Sequence, residues 1–407
     1  MTATLTPRRE LWLLVTLAGI QFTNILDFMI MMPLGPQFTA LFGISDSQFG
    51  LLVSAYTLAA GASGLLASTY IDRFDRKKLM LTLYVLFAIA TLACGLASSY
   101  YALMVARIFA GVFGGVLSAL SQTIVGDVIP FERRGRAMGI VITSFSVSTV
   151  AGVPLGLYGA AHFGWNAPFL AIGTLCILFI IFAWVTLPTL NAHLALHAPA
   201  SAWQRITDTL QDHNHRRAFV FSGLMMFAGF TVIPYITIYM QTNVGLRADQ
   251  VPLIYLCGGV TTLVTARLFG RLTDSFGKFE TFRVLAFAMT VPMVLMTLLR
   301  PGNLVVVLSV TTLLFIFMSG RMIPGMAMLT SAANPALRGT FMTLNACVQS
   351  AAMGLAALIG GHIIGRDAQG LVQNYWVAGV LGATVSLITI VVARRLDMHQ
   401  AVAPVKA

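Results

Sequence analysis

Charge is what this sequence has least of. Asp, Glu, Lys and Arg make up 10% of its 407 residues, against 57% hydrophobic residues, and the mean hydropathy is +0.84. A soluble domain carries about 25% charged residues, so this balance excludes a water-soluble fold and implies a polytopic membrane protein. Cysteine is nearly as scarce. Cys94, Cys176, Cys257 and Cys347 each stand alone inside an apolar run with no CxxC spacing, which leaves no disulfide framework or zinc site and reads as small buried hydrophobes. Patterns for catalysis and nucleotide binding are missing too. FGKF lacks the upstream glycine of GxxxxGK[ST], position 272 being Leu272, so ATP hydrolysis is not expected. No HExxH, Ser/His/Asp or paired-acid spacing stands out on a loop. The expectation is a protein that is not an enzyme and needs no cofactor or metal.

Acid is the rarer sign, 14 residues against 25 basic ones, for a net charge of +11. Such an excess suggests nucleic acid, but its distribution follows membrane topology instead. Apolar runs of about 20 residues, each long enough to cross a bilayer, fall at residues 11–33, 48–71, 79–98, 102–125, 137–160, 168–187, 218–241, 250–270, 283–299, 304–330, 340–364 and 374–393. The first is too long for a signal-peptide core and has no A-x-A site after it, so it is read as a retained span. With a cytoplasmic N-terminus, only Arg247, Arg300 and Arg366 face outward and only Arg107, Arg267 and Arg321 lie within spans. Every other Lys and Arg is then cytoplasmic, which predicts a multi-pass inner (plasma) membrane protein with both termini inside.

The chain divides into a six-helix bundle at 1–187, a cytoplasmic linker at 188–217 and a second six-helix bundle at 218–407. Within the linker, SAWQRITDTLQD places Trp203, Ile206 and Leu210 on one helical face, predicting a short helix on the membrane surface. The histidines at 193, 197, 213 and 215 lack Cys or acidic partners at ligand spacing and read as a solvated linker. The halves repeat: Asp72 with Asp274, Arg107 with Arg321 and Arg134 with Arg338 recur at offsets near half the chain length. The predicted fold class is an all-α membrane protein, twelve transmembrane helices in a 6+6 duplication, as suits a rocking transporter.

Four stretches carry recognisable motifs. After span 2 stand Ser68, Asp72, Arg73, Asp75, Arg76 and Lys77, and after span 8 Gly270, Asp274, Gly277 and Lys278. Span 4 holds Arg107 and Gly111, span 5 holds Gly152, Pro154 and Gly156, and span 10 holds Arg321 in FMSGRMIPGMAM. Together these resemble the major facilitator superfamily, in particular its twelve-span drug:proton antiporter branch, over nearly the whole chain. Ser68 and Asp75 stand where the loop pattern has glycine, and Val153 separates the Gly and Pro that the span 5 pattern has adjacent.

The resemblance implies a conformational latch at the two loops, where a carboxylate at a helix end and nearby basic side chains pair across the bundles in one state and part in the other. Positive-inside topology alone accounts for the basic residues but not for aspartates at matched positions. Gly111, Gly114 and Gly115 suit close helix packing. Gly152, Pro154 and Gly156 suit a helix that bends. Met318, Gly325 and Met328 share the face of Arg321, either as a soft surface for varied apolar shapes or as packing filler. Arg267, at the inner end of span 8, goes with the latch.

Asp27 is the only acid that falls well inside a span. It lies about 9 Å below the outer end of span 1, and Arg107 about 7.5 Å below the outer end of span 4, so the two can pair. Burial favours a neutral carboxyl and a guanidinium favours the anion. The pair is therefore either a proton and substrate coupling site, with Arg321 as a further member, or a permanent brace between spans 1 and 4. One Asp against two Arg favours neutral or anionic substrates. The leading expectation is a monomeric exporter of a small organic compound, drug or metabolite, driven by proton antiport. The alternatives are a proton-coupled importer or facilitator of a sugar, carboxylate or nucleoside, and a membrane sensor that does not transport.

Overall fold

In lipid every backbone N–H and C=O must be satisfied within the protein, which leaves the helix as the available form for these apolar runs. The computed structural model describes residues 6–129, 131–188, 202–334 and 337–398. The side chain of Asp72, and those of the helical ERRGR stretch other than Arg133, lie outside the described residues. Twelve helices are long and apolar enough to cross a membrane: Arg8–Ile30, Asp46–Tyr70, Arg76–Gly95, Tyr100–Val128, Ala137–Phe163, Ala167–Thr186, His213–Thr242, Val251–Phe276, Lys278–Thr297, Leu304–Ala332, Arg338–Ile363 and Tyr375–Ala393. These are spans 1 to 12, and the fold is the expected all-helical one. Span 1 begins, and span 12 ends, on what is called here the near side.

Several span ends run past the hydropathy limits because polar residues continue the helix. Span 8 extends to Phe276 and span 9 starts at Lys278, leaving Gly277 alone between them. Gly277 has φ +92°, a left-handed backbone that glycine adopts without strain. In the matching loop of the first half, Asp75 caps span 3 by accepting a hydrogen bond from the Lys78 N–H at 3.0 Å. The residue that departs from the family's glycine thus starts a helix. Span 2 opens with a capping box, Ser45 and Gln48 each bonding the other's backbone N–H.

Two spans are interrupted. Span 5 contains a wide π turn at Ser148–Gly152 just before Pro154, which absorbs the proline where the sequence predicted a bend. Span 7 breaks where the sequence showed a continuous apolar run: helix His213–Phe230 gives way to a 3-10 turn at Ile233–Tyr235 and resumes at Ile236–Thr242. Pro234 cannot donate within a helix, and at the break the Val232 carbonyl accepts from the Tyr235 N–H at 3.1 Å and from the Tyr375 hydroxyl at 2.8 Å.

The most extensive packing joins span 2 to span 11, across the two halves of the chain, and spans 5 and 8 form a second cross-half seam. Within the first half, span 4 lies against span 2 so closely that a Cβ at Gly115 would sit 2.7 Å from the Ala60 Cα and 2.9 Å from its carbonyl carbon. Gly270, by contrast, faces open space.

The linker helix forms at Ala202–Gln211. Ile206 and Thr209 are buried where the helix packs against spans 7 and 11, while Trp203 and Leu210 of the predicted apolar face are exposed from the protein. His215, read as solvated, is fully buried. Its Nδ1 faces the Thr209 carbonyl at 3.2 Å and its Nε2 accepts from the Asn334 N–H at 2.9 Å, tying linker to bundle. His193 and His197 lie outside the described residues.

Gly115→Leu is expected to cost at least about 1–3 kcal/mol by overpacking and to lower the melting temperature in detergent, followed by intrinsic fluorescence. Gly270→Ala should leave it unchanged. Equal losses in the two variants would contradict this packing.

Candidate functional site

Asp27 on span 1 and Arg107 on span 4 meet. Arg107 Nη1 donates to Asp27 Oδ2 at 2.8 Å and to the Asp27 carbonyl at 3.2 Å, and both side chains are fully buried. The contact is end-on. Asp27 Oδ1 and Arg107 Nε and Nη2 lack a well-formed hydrogen bond, with Thr91 of span 3 standing beside the carboxylate and Cys94 beside the guanidinium. Desolvating two charges is costly and is repaid fully only when the remaining donors and acceptors are satisfied, so this pair keeps bonding capacity unspent.

From the pair, a chain of polar groups leads to the seam between the halves. The Arg107 guanidinium stands 4.4 Å from the centre of the Tyr56 ring, a cation–π contact that steadies the charge. The Tyr56 hydroxyl donates to Asn24 Oδ1 at 2.6 Å, and Asn24 Nδ2 donates to the Gly114 carbonyl at 3.0 Å and to Ser118 Oγ at 2.9 Å. Ser118 in turn donates to Gln21 Oε1 at 3.2 Å.

Asn24, Tyr56 and Ser118 line a cavity of about 190 Å³ between spans 1, 2 and 4 and span 11, together with Gln122, Thr343 and Ser350. The lining holds no charged residue. The cavity runs from mid-depth toward the near side. Above it Phe28 stacks between Tyr56 at 5.4 Å and Phe230 of span 7 at 6.0 Å, joining the two halves.

Arg321 does not join this site. It is buried in the second half, where Nη2 donates to the Met225 carbonyl at 2.7 Å and Nη1 to Ser386 Oγ at 3.1 Å. It does not line the cavity. The carbonyl and the hydroxyl take one donor each of Nη2 and Nη1 while Nε is left without a partner, an arrangement without a carboxylate that spacing alone does not reveal. Met328 is fully buried and Gly325 packs on the Met225 sulfur, which favours the reading of these methionines as packing.

The loop residues singled out as a latch find partners within their own half. Arg76 pairs with Asp127 at 2.5 Å, Lys77 Nζ donates to the carbonyls of Trp184 and Leu187 at the end of span 6, and Lys278 Nζ meets Ser331 Oγ at 2.5 Å. Arg73, Arg267 and Asp274 are exposed. Gly152 and Gly156 pack against Leu26 and Ile30 of span 1, so the bending segment is seated on the helix that carries Asp27. Gly111 lies against the Tyr56 backbone, which sets the height of that ring.

A cross-half ion pair does exist, on the far side. Arg366 Nε and Nη2 donate to Asp46 Oδ2 and Oδ1, both at 2.8 Å. This is the bidentate fork that gives a guanidinium–carboxylate pair its strength and direction. Asp46, only 3% exposed, begins span 2. Arg366 sits on a short hairpin, Gly365–Arg366 paired with Val372–Gln373, which Asn243 clamps through the Val372 N–H and carbonyl at 2.9 Å each. The hydrogen bonds from Arg366 to Asp46 hold the guanidinium above its ordinary pKa. Beside this pair, Phe49 meets Tyr235 edge-on at 6.2 Å and Gly50 faces Gly361, so the far side is closed. The sequence offered one signal, the isolated outward Arg366, and nothing in it pointed to Asp46 as the partner.

Among the described residues no group of His, Cys, Asp or Glu is gathered to hold a metal. A model of the Major Facilitator Superfamily matches residues 17–357. An uncharacterized MFS-type transporter of Bacillus subtilis (strain 168), YtbD, is 26% identical over 347 residues, covering 83% of this chain and 84% of that protein. A probable sugar efflux transporter of Mannheimia succiniciproducens is 25% identical over 234 residues, 57% of each chain. Among solved structures, a bacterial homolog of the human lysosomal transporter Spinster, inward-facing and occupied, superposes with a TM-score of 0.74 at 15% identity over 98% of this chain and all of that one. A D-xylose-proton symporter superposes with a TM-score of 0.77 at 19% identity over 94% and 97%.

Removing the far-side pair should loosen that closure. Cys347 lines the cavity, while Cys94 and Cys176 are buried. In a Cys257→Ser background, Asp46→Asn is expected to speed labelling of Cys347 by a membrane-impermeant maleimide added from the far side about fivefold, corresponding to about 1 kcal/mol for a partly exposed pair. Unchanged labelling would show that Asp46 and Arg366 do not hold the halves together.

Proposed function

The chain belongs to the Major Facilitator Superfamily, and we propose that it exports a small, uncharged, hydrogen-bonding organic compound across the inner membrane in exchange for protons. One observation carries this reading: the Asp27–Arg107 pair keeps unused bonding capacity and stands one residue, Tyr56, behind a cavity that no charge lines. An uncharged lining of Asn, Gln, Ser, Thr and Tyr suits a substrate recognised by hydrogen bonds. A relative described as a probable sugar efflux transporter supports both the substrate class and the direction.

The geometry supports a rocking cycle. The first and last six spans rock against each other as bodies of residues 1–187 and 218–407, and the protein acts as a monomer with both termini cytoplasmic. The near side is then the cytoplasm, and the cavity closed on the far side is the inward-facing state. Substrate enters from the cytoplasm and bonds Asn24 and Tyr56. A proton on Asp27 weakens the attraction for Arg107 and frees the guanidinium to move against the Tyr56 ring. That movement reaches the substrate through Tyr56 and Asn24, so proton and substrate compete for one arrangement. In the outward-facing state the Asp46–Arg366 pair parts and the loops at Asp72 and Asp274 close the cytoplasmic side. A latch of this kind shifts a two-state balance by a few kcal/mol at most.

In proteoliposomes with an imposed pH gradient and uncharged sugars or polyols as candidate substrates, uptake should run against the proton flow. Accumulation in the direction of proton flow would make the protein an importer. Asp27→Asn is expected to abolish gradient-driven transport while retaining equilibrium exchange. A variant that still transports uphill would remove Asp27 from the coupling.

A further inference from the structure

On the near side the start of span 7 and the end of span 12 frame an open cleft of about 460 Å³ that faces outward from the bundle. Its rim carries His213, Arg216, Arg217 and Arg395, and its wall is formed by Val220 and Val391, which are 53% and 58% exposed. The charges are poorly balanced. Arg217 reaches Asp397 at 3.5 Å and donates to the Arg395 carbonyl at 3.3 Å. Among the described residues Arg216 hydrogen-bonds the His213 ring alone, at 2.7 Å, and neither Arg216 nor Arg395 has a carboxylate within ion-pair distance. Asp212 is engaged as the cap of span 7.

The frame is held firmly. Asn214 donates to the carbonyls of Ala332 at 2.9 Å and Asp397 at 2.8 Å and accepts from the Asp397 N–H at 3.0 Å. This fixes the ends of spans 7, 10 and 12 to one another. Apolar side chains left open toward the hydrocarbon, beneath two guanidiniums, Arg216 and Arg395, that have no carboxylate partner among the described residues, ask for one molecule that is apolar below and anionic above. A guanidinium binds phosphate through two parallel N–H bonds, and basic recesses at span ends are suited to acidic lipid headgroups.

We propose that this cleft binds an anionic glycerophospholipid, with its headgroup phosphate on Arg216 and Arg395 and its acyl chains along Val220 and Val391. A zwitterionic lipid presents the same phosphodiester with a compensating ammonium, and a soluble phosphate lacks the chains. Both therefore bind more weakly.

Native mass spectrometry of the full-length protein with added phosphatidylglycerol, phosphatidylcholine or glycerol 3-phosphate tests this. Phosphatidylglycerol should be retained in preference to the other two. Arg216→Gln with Arg395→Gln should weaken its binding about thirtyfold, about fivefold for each arginine. Arg216→Lys with Arg395→Lys should restore most of it, and Arg247→Gln on the far side should change nothing. If the double variant does not stay folded, the exposed Arg216→Gln alone should show the fivefold loss. Equal binding of phosphatidylglycerol by the wild type and the Gln variants would overturn the site. So would equal retention of phosphatidylcholine, or saturation by glycerol 3-phosphate at the same concentration.

Discussion

A charge inside a bilayer must be answered by the protein itself, and the single contact between Asp27 and Arg107 is where this structure answers it with another charge. The surrounding architecture follows from that need. Span 1 supplies the acid and span 4 the base, Tyr56 of span 2 covers the guanidinium, and Gly111 lets span 2 come near enough to do so. The duplicated half meets the same need without an acid. Arg321 stands at the position that repeats Arg107 but rests on a backbone carbonyl and a hydroxyl. Duplication has thus produced two buried arginines, of which only the first faces a group that a proton can neutralise. Coupling, on this account, belongs to the first half, and the second half supplies a wall against which the first moves.

The two sides of the membrane are held by different means. On the far side a bidentate ion pair, an edge-on aromatic contact and a close glycine approach bring span 2 against span 11 and its following hairpin. On the near side the basic loop residues are occupied within their own half, by Asp127 and by the exposed carbonyls at the end of span 6. In the proposed cycle these side chains would close the near side in the other state, and a switch built from exchangeable pairs would suit passage between two states of similar energy.

Much of this was legible in the sequence, because the strongest signals in a membrane chain are long and redundant. Twelve apolar runs, matched motifs at half-chain offset and one acid at membrane depth each rest on many residues, and the matched depths of Asp27 and Arg107 follow from helix rise alone. What escaped depends on single side chains meeting across distant segments. Asp46 and Arg366 are 320 positions apart. His215 looked solvated because its neighbours in sequence are polar, whereas its partners Thr209 and Asn334 come from the linker and from the turn after span 10. The break in span 7 carried its signal, Pro234, inside an unbroken apolar stretch. Asp75 departed from a family pattern and gained a cap in doing so.

The central claim is that the Asp27 carboxyl changes protonation while Arg107 remains charged. Infrared difference spectroscopy of the purified protein in lipid, stepped through the pH range over which it transports, reports that carboxyl directly. The account predicts a protonated-carboxyl stretch that grows on acidification, shifts when substrate binds and is absent in Asp27→Asn. A carboxylate that stays ionised throughout that range, with and without substrate, would contradict it and leave Asp27 as a brace for Arg107.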